Sequence, residues 1–332
     1  MTTLDLGPDG SYGERLATVY YPADPAGLAG HTHFSYRDAD PLPAALTAIV
    51  PAKYNATVST SAWSEAPGST AGPFPAVLFS HGFGASRLYY SNLLTGIASW
   101  GFVIVSADYT ERGLVAQAEN KTSGDSPALD SSVMSSSLTA LEQASSDTTS
   151  VLHGLVDEGK IAAVGHSAGG GTAFDALSDP RIATAVGWAP VGPSGSYSHK
   201  PVVIIGGLDD IALTPSILKS EYQHFPGPTT WVEVAGAGHD TFTDICTQIR
   251  GGGGGGLVGF ALSLHLVSGE LAKLAVNGCQ ANNLTPARFL PVAQAYTVAA
   301  LRDGLHIDSV PRIGAPPGGA FAGVRVQIQH HG

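Results

Sequence analysis

Charge is what this chain has least of. Asp, Glu, Lys and Arg make up 13% of its 332 residues, about half the share of an ordinary globular domain. The formal net charge of −11, with no basic patch and interleaved aromatics to offset it, excludes nucleic acid and an anionic membrane surface as partners. Long apolar runs are missing too. The longest, Leu257 to Val267 (LVGFALSLHLV), is too short to span a bilayer and carries His265; it reads as a buried helix, and no transmembrane segment is expected. The opening stretch, MTTLDLGPDGSYGERL, lacks the basic and apolar regions of a signal peptide. Internal repeats are absent.

Cysteine is scarce. Cys246 and Cys279 are the only two and no Cys-x-x-Cys occurs, so by themselves they make no zinc site. They are two buried thiols or one bridge. The low charge and a surface rich in Ser, Thr and Gly favour the bridge, which would stabilise the fold by about 3–4 kcal/mol. A bridge favours a secreted or extracellular protein, with the cytoplasm as the alternative. Six consecutive glycines, Gly251 to Gly256, are followed by Leu257-Val258. A phosphate-cradling loop needs Lys and Ser/Thr there, so the run reads as a flexible connector.

Apolar residues are present in ordinary abundance, at 43%, which supports a sizeable core and excludes global disorder. Short β-branched runs alternate with helical patterns. Residues 14–21 (ERLATVYY) predict a first strand, antiparallel and at an edge. The stretch 22–75 is loop-rich, with a helical piece over 43–50 and Trp63 as a surface clasp. Residues 76–80 and 102–107 predict buried strands flanking an amphipathic helix over 87–100, which is a strand–helix–parallel-strand unit. A helix over 131–145 and a second helix, carrying an apolar stripe at Val151, Leu152, Leu155 and Val156, precede the strand Ile161 to Val164. Strands over 182–188, 201–207 and 230–235 follow, with a helix opened by Thr214-Pro215. Two further helices, 257–276 and 286–302, and a last strand at 324–328 complete the expectation. Strands alternating with helices mean an α/β fold, a mostly parallel central sheet with helices on both faces. The expected organisation is a core over 1–250 and a C-terminal helical extension over 251–332 packed on the same domain.

The most informative stretch is IAAVGHSAGGG, residues 161–171. A buried strand runs into Gly165-His166-Ser167-Ala168-Gly169 and then into a helix start, which is the context a G-x-S-x-G nucleophile elbow requires. Glycine at the flanking positions lets strand and helix approach without a Cβ clash. Serine is a weak nucleophile at neutral pH and needs a base oriented by an acid. In an open parallel sheet those partners emerge past the carboxyl ends of later strands. One such end carries Leu208-Asp209-Asp210-Ile211-Ala212, and the next carries Gly236-Ala237-Gly238-His239-Asp240. Ser167, Asp209 and His239 fall in the nucleophile, acid, histidine order of this architecture; Asp210 competes with Asp209 for the acid's place. A tetrahedral intermediate needs two N–H donors. Ala168 would supply one and Phe83, in His81-Gly82-Phe83-Gly84 after the strand ending at Ser80, the other, its ring lining the acyl side. His81 and His166 flank the site as positioning residues. His166 and Trp188 also border the expected substrate pocket, though Trp188 suits the core equally well.

Gly165 to Gly169, Asp209 and His239 in this order resemble the α/β-hydrolase superfamily. FSHGFGASRLYYSNLL followed by a Gly-Phe-Val-Ile-Val strand is similar to the platelet-activating-factor acetylhydrolase, chlorophyllase and dienelactone-hydrolase-like group. The Leu208 to Ala212 stretch is similar to the acid loop of bacterial cutinases and polyester hydrolases, with Asp209 on their catalytic aspartate. Ser167 stands where dienelactone hydrolases proper have cysteine, and Phe83 and His166 stand where polyester hydrolases have Tyr and Trp. The resemblance covers about residues 14–245 and implies a serine carboxylic-ester hydrolase with no metal or organic cofactor. Its substrate would be a small-molecule or polymeric ester. A transacylase or thioesterase on the same triad is the alternative, and a non-catalytic binding protein the remote one.

Overall fold

The computed structural model describes residues 1–8, 14–119, 121, 126–251, 255–308 and 321–332. Its strands are β1 (Thr2–Pro8), β2 (Glu14–Tyr20), β3 (His33–Arg37), β4 (Thr57–Trp63), β5 (Phe74–Ser80), β6 (Val103–Ala107), β7 (Val156–His166), β8 (Ile182–Trp188), β9 (Val202–Gly207), β10 (Thr229–Val234) and β11 (Val326–His331). The helices are α1 (Ala44–Thr47), α2 (Ser91–Ala98), α3 (Leu114–Ala118), α4 (Pro127–Ser146), α5 (Ala168–Asp175), α6 (Pro215–His224), α7 (Ile245–Gly251), α8 (Gly256–Ser263), α9 (Gly269–Leu274) and α10 (Pro286–Gly304).

Runs such as Val103–Ala107 and Val202–Gly207 are buried along their whole length, as strands covered on both faces must be. Nine strands form one sheet in the order β1-β2-β6-β5-β7-β8-β9-β10-β11. From β6 to β10 neighbours are parallel, while β1, β2 and β11 run antiparallel at the two sides. One face buries Phe79, Ile104, Val164, Trp188 and Ile205 against α2 and α10. The other buries Leu78, Val105, Ala163 and Ile204 with Leu138 and Leu141 of α4, Phe174 of α5 and Leu218 of α6. This is the α/β-hydrolase fold.

Several expectations shift. The strand over 14–21 is present but is not the edge, because Thr2–Pro8 pairs outside it; its Gly7-Pro8 end hides a strand from pattern reading. The loop-rich stretch before Pro75 holds the antiparallel pair β3–β4. Helix α2 begins at Ser91 rather than Arg87, because the Arg87 backbone and guanidinium are both committed to Asp108. Val151 to Val156 is not helical: Leu152 and Leu155 are buried from turns, and the Leu155 carbonyl accepts from Phe74 N–H at 2.7 Å. The run Leu257 to Val267 is not a buried helix. The chain turns at His265 with φ 58°, so α8 is short, and Leu262, Leu264 and Leu266 are exposed. Half of the glycine connector, residues 252–254, and residues 314–320 of the tail lie outside the described residues.

The described part of 251–332 enters the core through α10 and extends the sheet through β11. Helix α10 buries Phe289, Val292, Ala293 and Leu301, and β11 adds a strand beside β10. Cys246 and Cys279 are bridged, with their Cα atoms 4.7 Å apart. Among the described residues no helix is long and apolar enough to cross a membrane.

Candidate active site

The end of β7 places Ser167 between strand and helix with φ 55° and ψ −121°, a region that costs a non-glycine residue strain on the order of 1–3 kcal/mol. The surroundings over-determine it. Ser167 N–H donates to Trp188 O at 2.9 Å, and Ser167 O accepts from Gly170 N–H at 2.9 Å and Val191 N–H at 3.0 Å. The turn is this tight because of its glycines. A Cβ on Gly165 would lie 1.9 Å from Gly169 O, and one on Gly169 would lie 2.1 Å from Ser80 O. No side chain fits between β5, β7 and α5 at this point.

His239 follows β10. Its Nε2 is 3.0 Å from Ser167 Oγ and its Nδ1 is 2.9 Å from Asp210 Oδ2. Asp209, the expected acid, is not the residue on the imidazole. Past the end of β9 successive side chains point to opposite sides: Asp209 Oδ2 accepts from Asn283 Nδ2 at 3.0 Å, and Asp210 turns inward. The remaining Asp210 oxygen accepts from Ala212 N–H at 2.8 Å and Leu213 N–H at 2.7 Å, so both carboxylate oxygens are held. Burial by itself would lower the His239 pKa. The Asp210 hydrogen bond and the charges of Asp240 and Asp210 outweigh it, and the imidazole sits above its ordinary value. Asp240, buried beside this pair, is pushed up to about 6, chiefly by desolvation.

His166 is buried and lines no open surface. Desolvation, then the neighbouring His239, hold its pKa well below the ordinary value, so it is neutral and one ring nitrogen must accept. Its Nε2 lies 3.0 Å from the His239 carbonyl and therefore carries the proton. Its Nδ1 then accepts from the Tyr90 hydroxyl at 2.8 Å, and Tyr90 in turn accepts from Gly82 N–H at 3.2 Å. The histidine thus links the Gly82 loop to the His239 loop, a positioning role. Trp188 is fully buried, donates Nε1–H to Thr297 Oγ1 at 3.0 Å and stacks on Phe242. It walls the core behind the site and offers no face to a substrate.

The loop after β5 lies directly against Ser167: a Cβ on Gly82 would be 3.2 Å from Ser167 Cβ. Gly84 N–H is anchored to Arg112 O at 2.8 Å, and Arg112 reaches back to Ser80 Oγ and His81 O and pairs with buried Asp130. Between these fixed points Phe83 is 52% exposed. Ala168 opens α5, where a backbone N–H has no intrahelical acceptor. Among the described residues no group of three or more His, Cys, Asp or Glu could hold a metal ion.

Tyr90, Asn277 and Asn283 had no signal in the sequence. Each acts on a residue far away along the chain, and an isolated Tyr or Asn has no motif.

Comparison with known proteins agrees with this architecture. A family model described as chlorophyllase matches residues 50–206, which span β5, the Gly82 loop and the elbow. Among solved structures, the ferulic acid esterase from Streptomyces cinnamoneus superposes with a TM-score of 0.66 at 21% identity, over 98% of this chain and 95% of that one. The structural likeness establishes the fold. The chlorophyllase match indicates an ester hydrolase on that fold.

Proposed function

We propose that this protein cleaves carboxylic esters through Ser167, His239 and Asp210 by way of an acyl-enzyme. The hydrogen-bonded chain Ser167 Oγ, His239 Nε2, His239 Nδ1, Asp210 Oδ2, at 3.0 and 2.9 Å, carries the reading. Ser167 Oγ bonds to the ester carbonyl carbon as its proton passes to His239 Nε2. The oxyanion is held by the N–H groups of Phe83 and Ala168. His239 returns the proton to the leaving alkoxide as the ester C–O bond breaks. Water, deprotonated by His239, then releases the acid and restores the serine. Asp210 keeps the Nδ1–H tautomer and stabilises the imidazolium.

The half-exposed Phe83 ring suits a site that takes an apolar acyl group at its mouth. The chlorophyllase match and the ferulic acid esterase likeness put esters with bulky acid or alcohol parts on the test panel. The bridged Cys246–Cys279 pair supports a working place outside the reducing cytosol.

The test is hydrolysis of p-nitrophenyl esters from acetate to palmitate, with methyl ferulate beside them, by the wild type and Ser167→Ala. Expected is a chain-length optimum in the wild type and a loss of about 10³-fold or more in the variant. Equal turnover by both proteins overturns the serine mechanism.

A further inference from the structure

The site contains a residue that touches neither substrate nor nucleophile and yet holds two members of the triad. The turn after α9 places the buried Asn277 between the loop that carries the acid and the loop that carries the histidine. Its Oδ1 accepts from His239 N–H at 2.8 Å and from Ile211 N–H at 3.1 Å. Since two backbone donors converge on this atom, it must be the amide oxygen, which fixes the amide orientation. Its Nδ2 donates to Asp209 O at 3.1 Å. The Asn277 carbonyl accepts from Asp240 N–H at 2.7 Å. One side chain thus binds the backbone of the catalytic histidine and the residues on either side of Asp210.

The turn is itself clamped. Gly278, with φ 97°, meets Gly238 backbone to backbone: a Cβ on Gly238 would lie 2.6 Å from Gly278 N. Two residues past Asn277, Cys279 is bridged to Cys246 in α7. Leu284 N–H donates to Gly236 O at 2.7 Å, and Asn283 holds Asp209. Everything in this cradle comes from beyond residue 206, outside the chlorophyllase match.

We infer that Asn277 is the positioning residue of the acid–base pair, the group that keeps Asp210 in register with His239. The inference rests on the triad proposed above. The amide is suited to the task because it offers two acceptor lone pairs and a donor from one planar group; an aliphatic side chain would leave the buried His239 N–H unpaired and release the Ile211 N–H. If the two loops slide apart, the 2.9 Å bond between Nδ1 and Oδ2 is the first to lengthen, and near-attack geometry at Ser167 goes with it.

The experiment compares Asn277→Ala and Asn277→Asp with the wild type on p-nitrophenyl acetate across pH, with the proton NMR resonance of His239 Nδ1–H read in parallel. The charged or titratable groups facing His239 are Asp210, Asp240 and the neutral His166. For Asn277→Ala, kcat falls roughly ten- to a hundred-fold with KM within about two-fold. The acid limb of kcat/KM moves to lower pH as the Asp210 bond loosens, and the deshielded Nδ1–H resonance moves upfield. Asn277→Asp keeps the acceptor and recovers part of kcat, with its acid limb moved up by the added charge. A folded Asn277→Ala with wild-type kcat and an unmoved resonance overturns the inference. Should the alanine variant not fold, Asn277→Ser, too short to reach both loops, replaces it under the same criteria. A wild type that turns over no ester and whose Ser167 resists a fluorophosphonate sinks the esterase mechanism instead. The resonance still decides whether Asn277 seats Asp210 on His239.

Discussion

Ser167 and the two residues proposed to activate it are held by opposite means. The elbow at Ser167 is built from neighbours: Gly165 and Gly169 flank it in sequence, β7 feeds it, α5 leaves it, and the strain at φ 55° is absorbed by hydrogen bonds to the end of β8. The acid and histidine loops are built from afar. Around Asp210 and His239, Asn277 and Asn283 bind the two loops from the C-terminal stretch, and the Cys246–Cys279 bridge ties that stretch to α7. Local glycine geometry can be written into five residues; the relative placement of two loops cannot. Perturbations should therefore act differently on the two halves, failing as folding at the elbow and as catalysis at the cradle.

The sharpest break in the comparison is at the acid loop. Asp210→Asn should lower kcat by about 10³–10⁴-fold, as loss of the tautomer-fixing acid does in such triads, while Asp209→Asn should keep most of it, since Asp209 binds Asn283. Steady-state kinetics of the two variants side by side checks this, and equal losses would mean that the loop is mobile enough to present either carboxylate. At the elbow, Gly169→Ala forces a methyl group against Ser80 O and should cost about 3–5 kcal/mol, read as lost soluble yield or a sharply lowered denaturation midpoint rather than as an altered kcat in a stable protein. Removing the bridge, by Cys246→Ser with Cys279→Ser, should lower unfolding free energy by about 3–4 kcal/mol. Because it frees the cradle, it should also reduce kcat in the part of the population that stays folded; urea melts and kinetics on the same sample separate the two.

The smallest effect concerns pH. Burial pushes Asp38, Asp240 and Asp244 each up to about 6, above the unfolded value of about 3.9. A folded pKa above the unfolded one means that the folded state binds the proton more tightly. The stability from these groups is therefore complete below about pH 4 and is lost as pH rises through about 6. Melting temperature should fall as pH rises from about 4 to about 6, and Asp240→Asn should flatten that fall. The same variant removes a charge that raises the His239 pKa, so the acid limb of its kcat/KM profile should move to lower pH. An acid limb that stays put would show that Asp240 does not act on His239.

Much of this was legible in one dimension. The apolar runs at β5 to β10 are continuous because both faces are covered, and the elbow is legible because its glycines and serine are consecutive. His239 stands out by its place just past the last core strand. The choice between Asp209 and Asp210 was not legible, since adjacent residues at a strand end differ only in the side to which they point. Trp188 was equally ambiguous: a tryptophan closing a strand beside the elbow can line a pocket or fill the core, and here Thr297 on α10 takes its N–H and Phe242 its ring face. The run Leu257 to Val267 misled for a related reason. Hydropathy states what a segment would prefer to bury, and only the turn at His265 decides how much of it can be.

The sequence by itself determined the sheet's central strands, the strained serine and the histidine that faces it, because backbone sterics and burial act on residues close along the chain. Which aspartate meets His239, what holds it, and the joining of the C-terminal stretch to these loops were decided by the tertiary structure. Those contacts are made by isolated Asn, Tyr and Cys residues whose partners lie tens of residues away. The free energy of such a contact exists only once the loops have been brought together.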